Sequence, residues 1–217
     1  MTTLNILLAD DHELILSGLK AILEGEPGWK VVGLARDGRE AVKMALTLRP
    51  HVAVLDISMP ELNGIEATRQ IRRGSPDTEV LILTMHNSEV IVREALEAGA
   101  KGFILKTDTN RLLKTAIESL GAHKPFFTSN ASDVLLQGYL DPSAKPKEIE
   151  NQNRLSPRER EVVQLLAEGR SSKEVAAKLS VSVKTVEAHR SNVMRKLNLH
   201  SVAQIVRYAI RNEMITP

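Results

Sequence analysis

Asn5-Ile6-Leu7-Leu8-Ala9-Asp10-Asp11 is a short apolar run that stops abruptly at two aspartates. Four more runs of similar length follow it, at Trp29 to Ala35, Val52 to Leu55, Val80 to Thr84 and Gly102 to Leu105. Amphipathic stretches separate them, and that alternation is the pattern of strands and helices laid on a parallel sheet. Asp37, with Glu40 three residues later, has the spacing of a capping box at a helix start. The last helix of the series is expected over about Asp108 to Leu120, stopping at Gly121. The reading predicts an α/β domain built on a doubly wound five-stranded parallel sheet, whose functional groups lie at the carboxyl ends of the strands.

Polar residues stand at those ends. Asp10 and Asp11 follow the first run, Asp56 follows the third, Thr84 closes the fourth and Lys106 follows the fifth. Singly, each has an ordinary structural explanation as a helix cap, a strand-end threonine or a solvated lysine. Together they form the set that phosphoryl transfer to a carboxylate requires. Clustered aspartates repel one another unless a cation neutralises them, and Mg²⁺ suits because it takes few protein oxygens and accepts a phosphate oxygen. Asp56 stands alone on the central strand and is the expected nucleophile, with Asp10 and Asp11 left to hold the metal. Lys106 then balances phosphoryl charge, and the Thr84 hydroxyl bonds a phosphate oxygen. A phosphatase of the haloacid-dehalogenase type is the competing reading, but Asp56-Ile57-Ser58 lacks the second aspartate which that chemistry uses as general acid.

Composition narrows the class of protein. The 217 residues contain no cysteine and are 42% hydrophobic, enough to fill a core without disulfides or a thiolate zinc site. The start, Met1 to Asp11, has no basic region, and no apolar run reaches the roughly 20 residues of a membrane span, so a soluble cytoplasmic protein is expected. Charge is divided unevenly. Residues 1–122 carry 14 Lys and Arg against 17 Asp and Glu, whereas residues 123–217 carry 15 against 10. A mildly acidic half joined to a basic half points to two tasks, the second involving a polyanion. Asp141 to Asn153 is polar and broken by prolines, the composition of a linker, and Asn130 to Leu140 reads as one further helix before it. The expected division is 1–122, 123–153 for the extra helix and linker, and 154–217.

The last segment reads as a small all-α domain of four short helices. Ser156 with Glu159, Ser171 with Glu174 and Ser201 with Gln204 have capping-box spacing, while Pro157 and Gly169 suit a helix start and stop. Apolar residues recur at helical spacing from Val162 to Leu197, interrupted near Gly169 and Ser180. A short helix, a tight turn and a longer helix make a helix-turn-helix, whose second helix can enter the major groove of double-stranded DNA. Ser182 is the expected cap of that second helix, running from Val183 to about Leu197. Glu187, Ala188 and Ser191 are assigned to base edges, and Lys184, Thr185, Arg190, Arg195 and Lys196 mainly to phosphates. A final helix, about Val202 to Arg211, carries Ile205, Val206, Ala209 and Ile210 and can pack onto the core.

The first 120 or so residues resemble the receiver domains of two-component response regulators, which have a flavodoxin-like fold. The resemblance rests on Leu-Ala-Asp-Asp ending at Asp11, Leu55-Asp-Ile-Ser-Met-Pro-Glu-Leu-Asn-Gly-Ile-Glu66, Leu83-Thr-Met-His86 and Gly99-Ala-Lys-Gly-Phe-Ile-Leu-Lys106. It implies that Asp56 accepts phosphorus from a sensor histidine kinase and that the Ser58 carbonyl joins Asp11 and Asp56 on Mg²⁺. It also makes Phe103 a switch aromatic that turns inward when Thr84 moves. Thr107 replaces the proline common after the family's lysine, and His86 lies where receivers vary. Leu155-Ser-Pro-Arg-Glu-Arg-Glu-Val162 and Ser182-Val-Lys-Thr-Val-Glu-Ala-His-Arg-Ser-Asn-Val-Met-Arg-Lys-Leu197 are similar to the LuxR-type helix-turn-helix. Lysine is frequent there at the place of Glu187. The whole chain thus resembles the NarL/FixJ class, which implies a phosphorylation-switched transcription factor acting as a homodimer supported by the final helix, with RNA polymerase a further partner. The only chemistry it implies is Mg²⁺-dependent self-phosphorylation from small donors and loss of that phosphate, not enzymatic turnover.

Overall fold

The computed structural model describes residues 3–85, 88–128, 155–212 and 214–215. The chain divides into two compact units, Met1–Leu140 and Asp141–Pro217. In the first, β1 (Leu4–Ala9), β2 (Trp29–Ala35), β3 (Val52–Leu55), β4 (Glu79–Thr84) and β5 (Gly102–Leu105) alternate with α1 (Glu13–Glu24), α2 (Gly38–Leu48), α3 (Gly64–Gly74), α4 (Glu89–Glu97) and α5 (Thr109–Gly121). The strands are all parallel, in the order β2-β1-β3-β4-β5 with a sixth strand, β6 (Phe126–Phe127), beside β5. β3 and β4 are buried along their whole length because helices cover both faces of the sheet. Leu7, Leu55, Ile82 and Phe103 face one layer, and Ile6, Leu8, Val54 and Leu83 the other.

The five expected strands are present, and β6 is an addition. Two residues are too few to show a strand's alternation, so Phe126–Phe127 is recognisable only by its pairing with Gly102 and Phe103. That pairing also carries the sheet past the boundary expected at residue 122. α5 differs at both ends. A turn of 3-10 helix, Lys106–Asp108, precedes it. At its other end it runs through Gly121, and the chain reverses at His123, whose φ is 57°. Gly121 serves packing rather than termination, since a Cβ there would lie 2.8 Å from Leu4 Cδ1. The helix expected at Asn130 to Leu140, the linker at Asp141 to Asn153 and His86 lie outside the described residues.

Local chemistry fixes the helix starts. The side chains of Asp37, Asn63 and Ser88 accept from the backbone N–H of Glu40, Glu66 and Ile91, each satisfying a donor that the first turn leaves free. In the second unit, α6 (Pro157–Ala167), α7 (Ser172–Leu179), α8 (Val183–Lys196) and α9 (Val202–Arg211) surround a core that includes Val163, Leu166, Val175, Val186, Val193 and Ile205. Ser156 with Glu159 and Ser171 with Glu174 form reciprocal capping boxes. Ser201 departs from the expected box. Its hydroxyl accepts from Gln204 N–H, but the Gln204 side chain takes the His200 N–H instead of that of Ser201. Gly169, at φ 84°, reverses the chain after α6.

Candidate functional site

Strand register assembles the acidic rim. Ala9 and Leu55 are partners, so Asp10 and Asp56 leave the sheet at the same level. The Asp56 N–H donates to the Ala9 carbonyl at 2.9 Å, and the Asp10 N–H to that of Ala35 at 3.1 Å. Thr84 closes β4 opposite Leu105, and Lys106 follows directly. The Lys106 ammonium lies 2.7 Å from Asp10 Oδ2 and 3.1 Å from Asp56 Oδ2, bridging the two carboxylates. Asp10, Asp56 and Thr84 are buried, with only 5% of Asp56 exposed. Burial pushes the Asp56 carboxyl above the ordinary value, and Asp10 adds to this, against the pull of Lys106. Lys106 is itself held above the usual lysine range, because Asp56 and Asp10 outweigh the desolvation that would lower it.

The loop after β3 holds Asp56 in place through its backbone. The Gly64 N–H donates to the Ile57 carbonyl at 2.9 Å, and a Cβ on Gly64 would sit 2.0 Å from the Asp56 carbonyl oxygen. Only glycine permits α3 to start so close to that strand end. Neither contact was expected from the sequence, although Asn63-Gly64 followed by Glu66 has the spacing of a capped helix start.

Asp11 is exposed, Ser58 half-buried two residues beyond Asp56, and Phe103 buried in the core. Phe103 thus lies inward, between the sheet and the helices of one layer. Beside the rim stands His12, which sequence reasoning passed over. Its Nδ1 lies 2.8 Å from Asp11 Oδ1 and 3.1 Å from Asp10 Oδ1. Asp11 above all raises its pKa, overcoming a smaller desolvation effect. Asp10, Asp11 and His12 offer ligand atoms within 4.8 Å of one another, close enough for one cation. The balance of charge fits one as well. Asp10 and Asp56 share a single ammonium and Asp11 adds a third carboxylate, so oxygen donors and negative charge are both in excess.

In the second unit, Ser182 caps α8 by accepting from the Thr185 N–H at 3.0 Å. Val186 and Val193 are its fully buried residues, turned into the core. Lys184, Glu187, Ala188, Ser191 and Arg195 are exposed, while Thr185 and Arg190 are half-buried. Lys196, also expected among the phosphate-binding residues, is half-buried. Its ammonium lies 2.7 Å from Oε2 of the buried Glu159, the carboxylate that also caps Ser156, so it ties α8 to α6. Burial alone would raise the Glu159 pKa, but the bonds from Lys196 and Ser156 hold it below the ordinary carboxylate value. Among the described residues no helix is long and apolar enough to cross a membrane.

Known proteins share both units. Residues 6–118 match the response regulator receiver domain, and residues 153–209 match the bacterial regulatory proteins of the luxR family. The oxygen regulatory protein NreC of Staphylococcus epidermidis is 37% identical over 216 residues, covering 98% of this chain and 99% of its own. The transcriptional regulatory protein LiaR of Bacillus subtilis is 35% identical, over 98% and 99% of the two chains. Among solved structures, RcsB of Salmonella enterica serovar Typhimurium, bound to promoter rprA in the presence of phosphomimetic BeF3−, is 29% identical. It superposes with a TM-score of 0.64, over 95% of this chain and 98% of that one. A rim of paired aspartates bridged by lysine, and a capped helix-turn-helix behind it in the sequence, are thus the two parts of one known arrangement, and the chain belongs to the response regulators, in the NarL/FixJ class that joins a receiver to a luxR-family domain.

Proposed function

We propose that the chain is a cytoplasmic transcription factor switched by phosphorylation of Asp56, the donor being a sensor histidine kinase. The observation that carries this is Lys106 bridging Asp10 and Asp56 at a buried strand end. An attacking carboxylate needs a neighbouring cation to meet the incoming phosphoryl charge, and Lys106 is placed to provide it. Asp11, Asp56 and the Ser58 carbonyl would hold Mg²⁺, with Asp10 beside them. The metal's chemistry is to neutralise the carboxylates and take a phosphate oxygen. Thr84 would donate its hydroxyl to the phosphoryl group, and Phe103 would record that movement from inside the core. Any self-phosphorylation from small donors, and the loss of that phosphate, belong to this same site.

The output would be binding of double-stranded DNA by α8. Glu187, Ala188 and Ser191 would meet base edges, and Lys184, Thr185, Arg190 and Arg195 mainly phosphates. Lys196, which also pairs with Glu159, would join them at the phosphates and would in addition fix the position of α8. Two copies would bind together, aided by α9, and contact RNA polymerase at the promoter. Incubation with acetyl phosphate and Mg²⁺ should add one phosphoryl group to the wild type, read by intact mass. Asp56→Asn should take up none; an equally labelled variant would refute the assignment.

A further inference from the structure

We propose that Glu187 is a specificity-determining residue that selects cytosine at one position of each half-site; this rests on the DNA-binding reading above. Lys184, Glu187, Ala188 and Ser191 are all exposed, and their spacing of three and four residues puts them on one stripe of α8. The stripe lies opposite Val186 and Val193, which are 0% exposed. Glu187 stands in its middle and is the only carboxylate in α8. Lys184 and Arg190, one turn before and after it, are near enough along the helix to pair with it, yet Glu187 has no hydrogen bond or ion pair among the described residues. Among the described residues nothing therefore employs this carboxylate.

On a surface that approaches phosphates, a free carboxylate opposes binding unless it gains a hydrogen bond there. It can only accept, which excludes half of what the major groove displays. Guanine presents two acceptors, N7 and O6, and thymine presents O4, so both repel it. Adenine offers the N6 amino group but sets the N7 acceptor next to it. Cytosine offers the N4 amino group with no neighbouring acceptor on the same base, and is the partner a carboxylate fits best. Ala188 beside it adds a methyl that can rest on a base edge without contributing charge.

The test is selection from random duplex DNA by the full-length protein, with Mg²⁺ and beryllofluoride present, comparing wild type, Glu187→Gln and Glu187→Lys. The wild type should enrich cytosine at one position per half-site, and exchanging that C·G pair for T·A should weaken binding by about ten-fold. Glutamine, which donates and accepts, should move the preference at that position to adenine, and lysine should move it to guanine. The same sequence selected by all three proteins, with equal affinity, would overturn the role given to Glu187 while leaving DNA binding intact. A wild type that enriches no sequence would overturn the DNA-binding reading and this inference together.

Discussion

Asp56 is costly to the fold for the same reason that it suits its task. A carboxylate 5% exposed at a strand end loses most of its hydration, and Asp10 stands across the same ammonium. Its pKa is therefore raised by folding, so it favours the folded state below the ordinary value of 3.8 and opposes it once pH climbs through the raised value. Asp56→Asn removes that charge with little change of shape. At neutral pH and without Mg²⁺ the first unit of this variant should melt at a higher temperature than that of the wild type, as followed by Trp29 fluorescence. A lower melting temperature would mean that the ion pair with Lys106 outweighs desolvation. The residues themselves were easy to find in the sequence, because polar side chains at strand ends are few. His12 was not, because its significance lies in the direction of one ring nitrogen.

Elements owe their limits to short-range chemistry and their placement to contacts that sequence spacing does not reveal. The box of Ser156 and Glu159 was legible, since serine and glutamate three residues apart repeat a known local geometry. The ammonium that completes it comes from Lys196, 37 residues away in the chain, and no local pattern announces it. The same ion pair makes the α6 start sensitive to acid. Glu159 titrates below the ordinary 4.5 in the folded unit, so its stabilising contribution is full above that value and is lost as pH falls through the lowered one. Melting of the second unit, followed by circular dichroism from about pH 6 to about pH 3, should fall in this range, and Glu159→Gln should flatten the dependence. An unchanged slope in the variant would place the acid sensitivity elsewhere.

For the molecule as a whole, the proposed control of DNA binding by α8 through phosphorylation of Asp56 is a matter of populations. We expect phosphorylation to favour a state in which a restraint on the DNA-binding unit is released and copies pair. Ligand can shift such an equilibrium only by its differential affinity for the two states, of which about 1 to 3 kcal/mol is typical. Beryllofluoride with Mg²⁺ should therefore tighten the wild type's hold on its selected sequence by roughly 5- to 150-fold, measured by fluorescence anisotropy. Asp56→Ala should show no such gain, and an equal response from that variant would rule out control through this aspartate.

By itself the sequence determined the alternation of strands and helices, the strand-end aspartates and lysine, and a capped helix-turn-helix after a basic shift in charge. These are local or periodic properties, written in side-chain spacing at two or at three to four residues. Tertiary structure alone decided the rest. It paired Phe126–Phe127 with β5, drew Gly64 against the Asp56 carbonyl, and set the Lys106 ammonium between two carboxylates. It also paired Lys196 with Glu159 and, among the described residues, left Glu187 without a partner. Each of these depends on which distant segments come together, and that follows from burying both faces of one sheet and one side of each helix rather than from any short stretch of the chain.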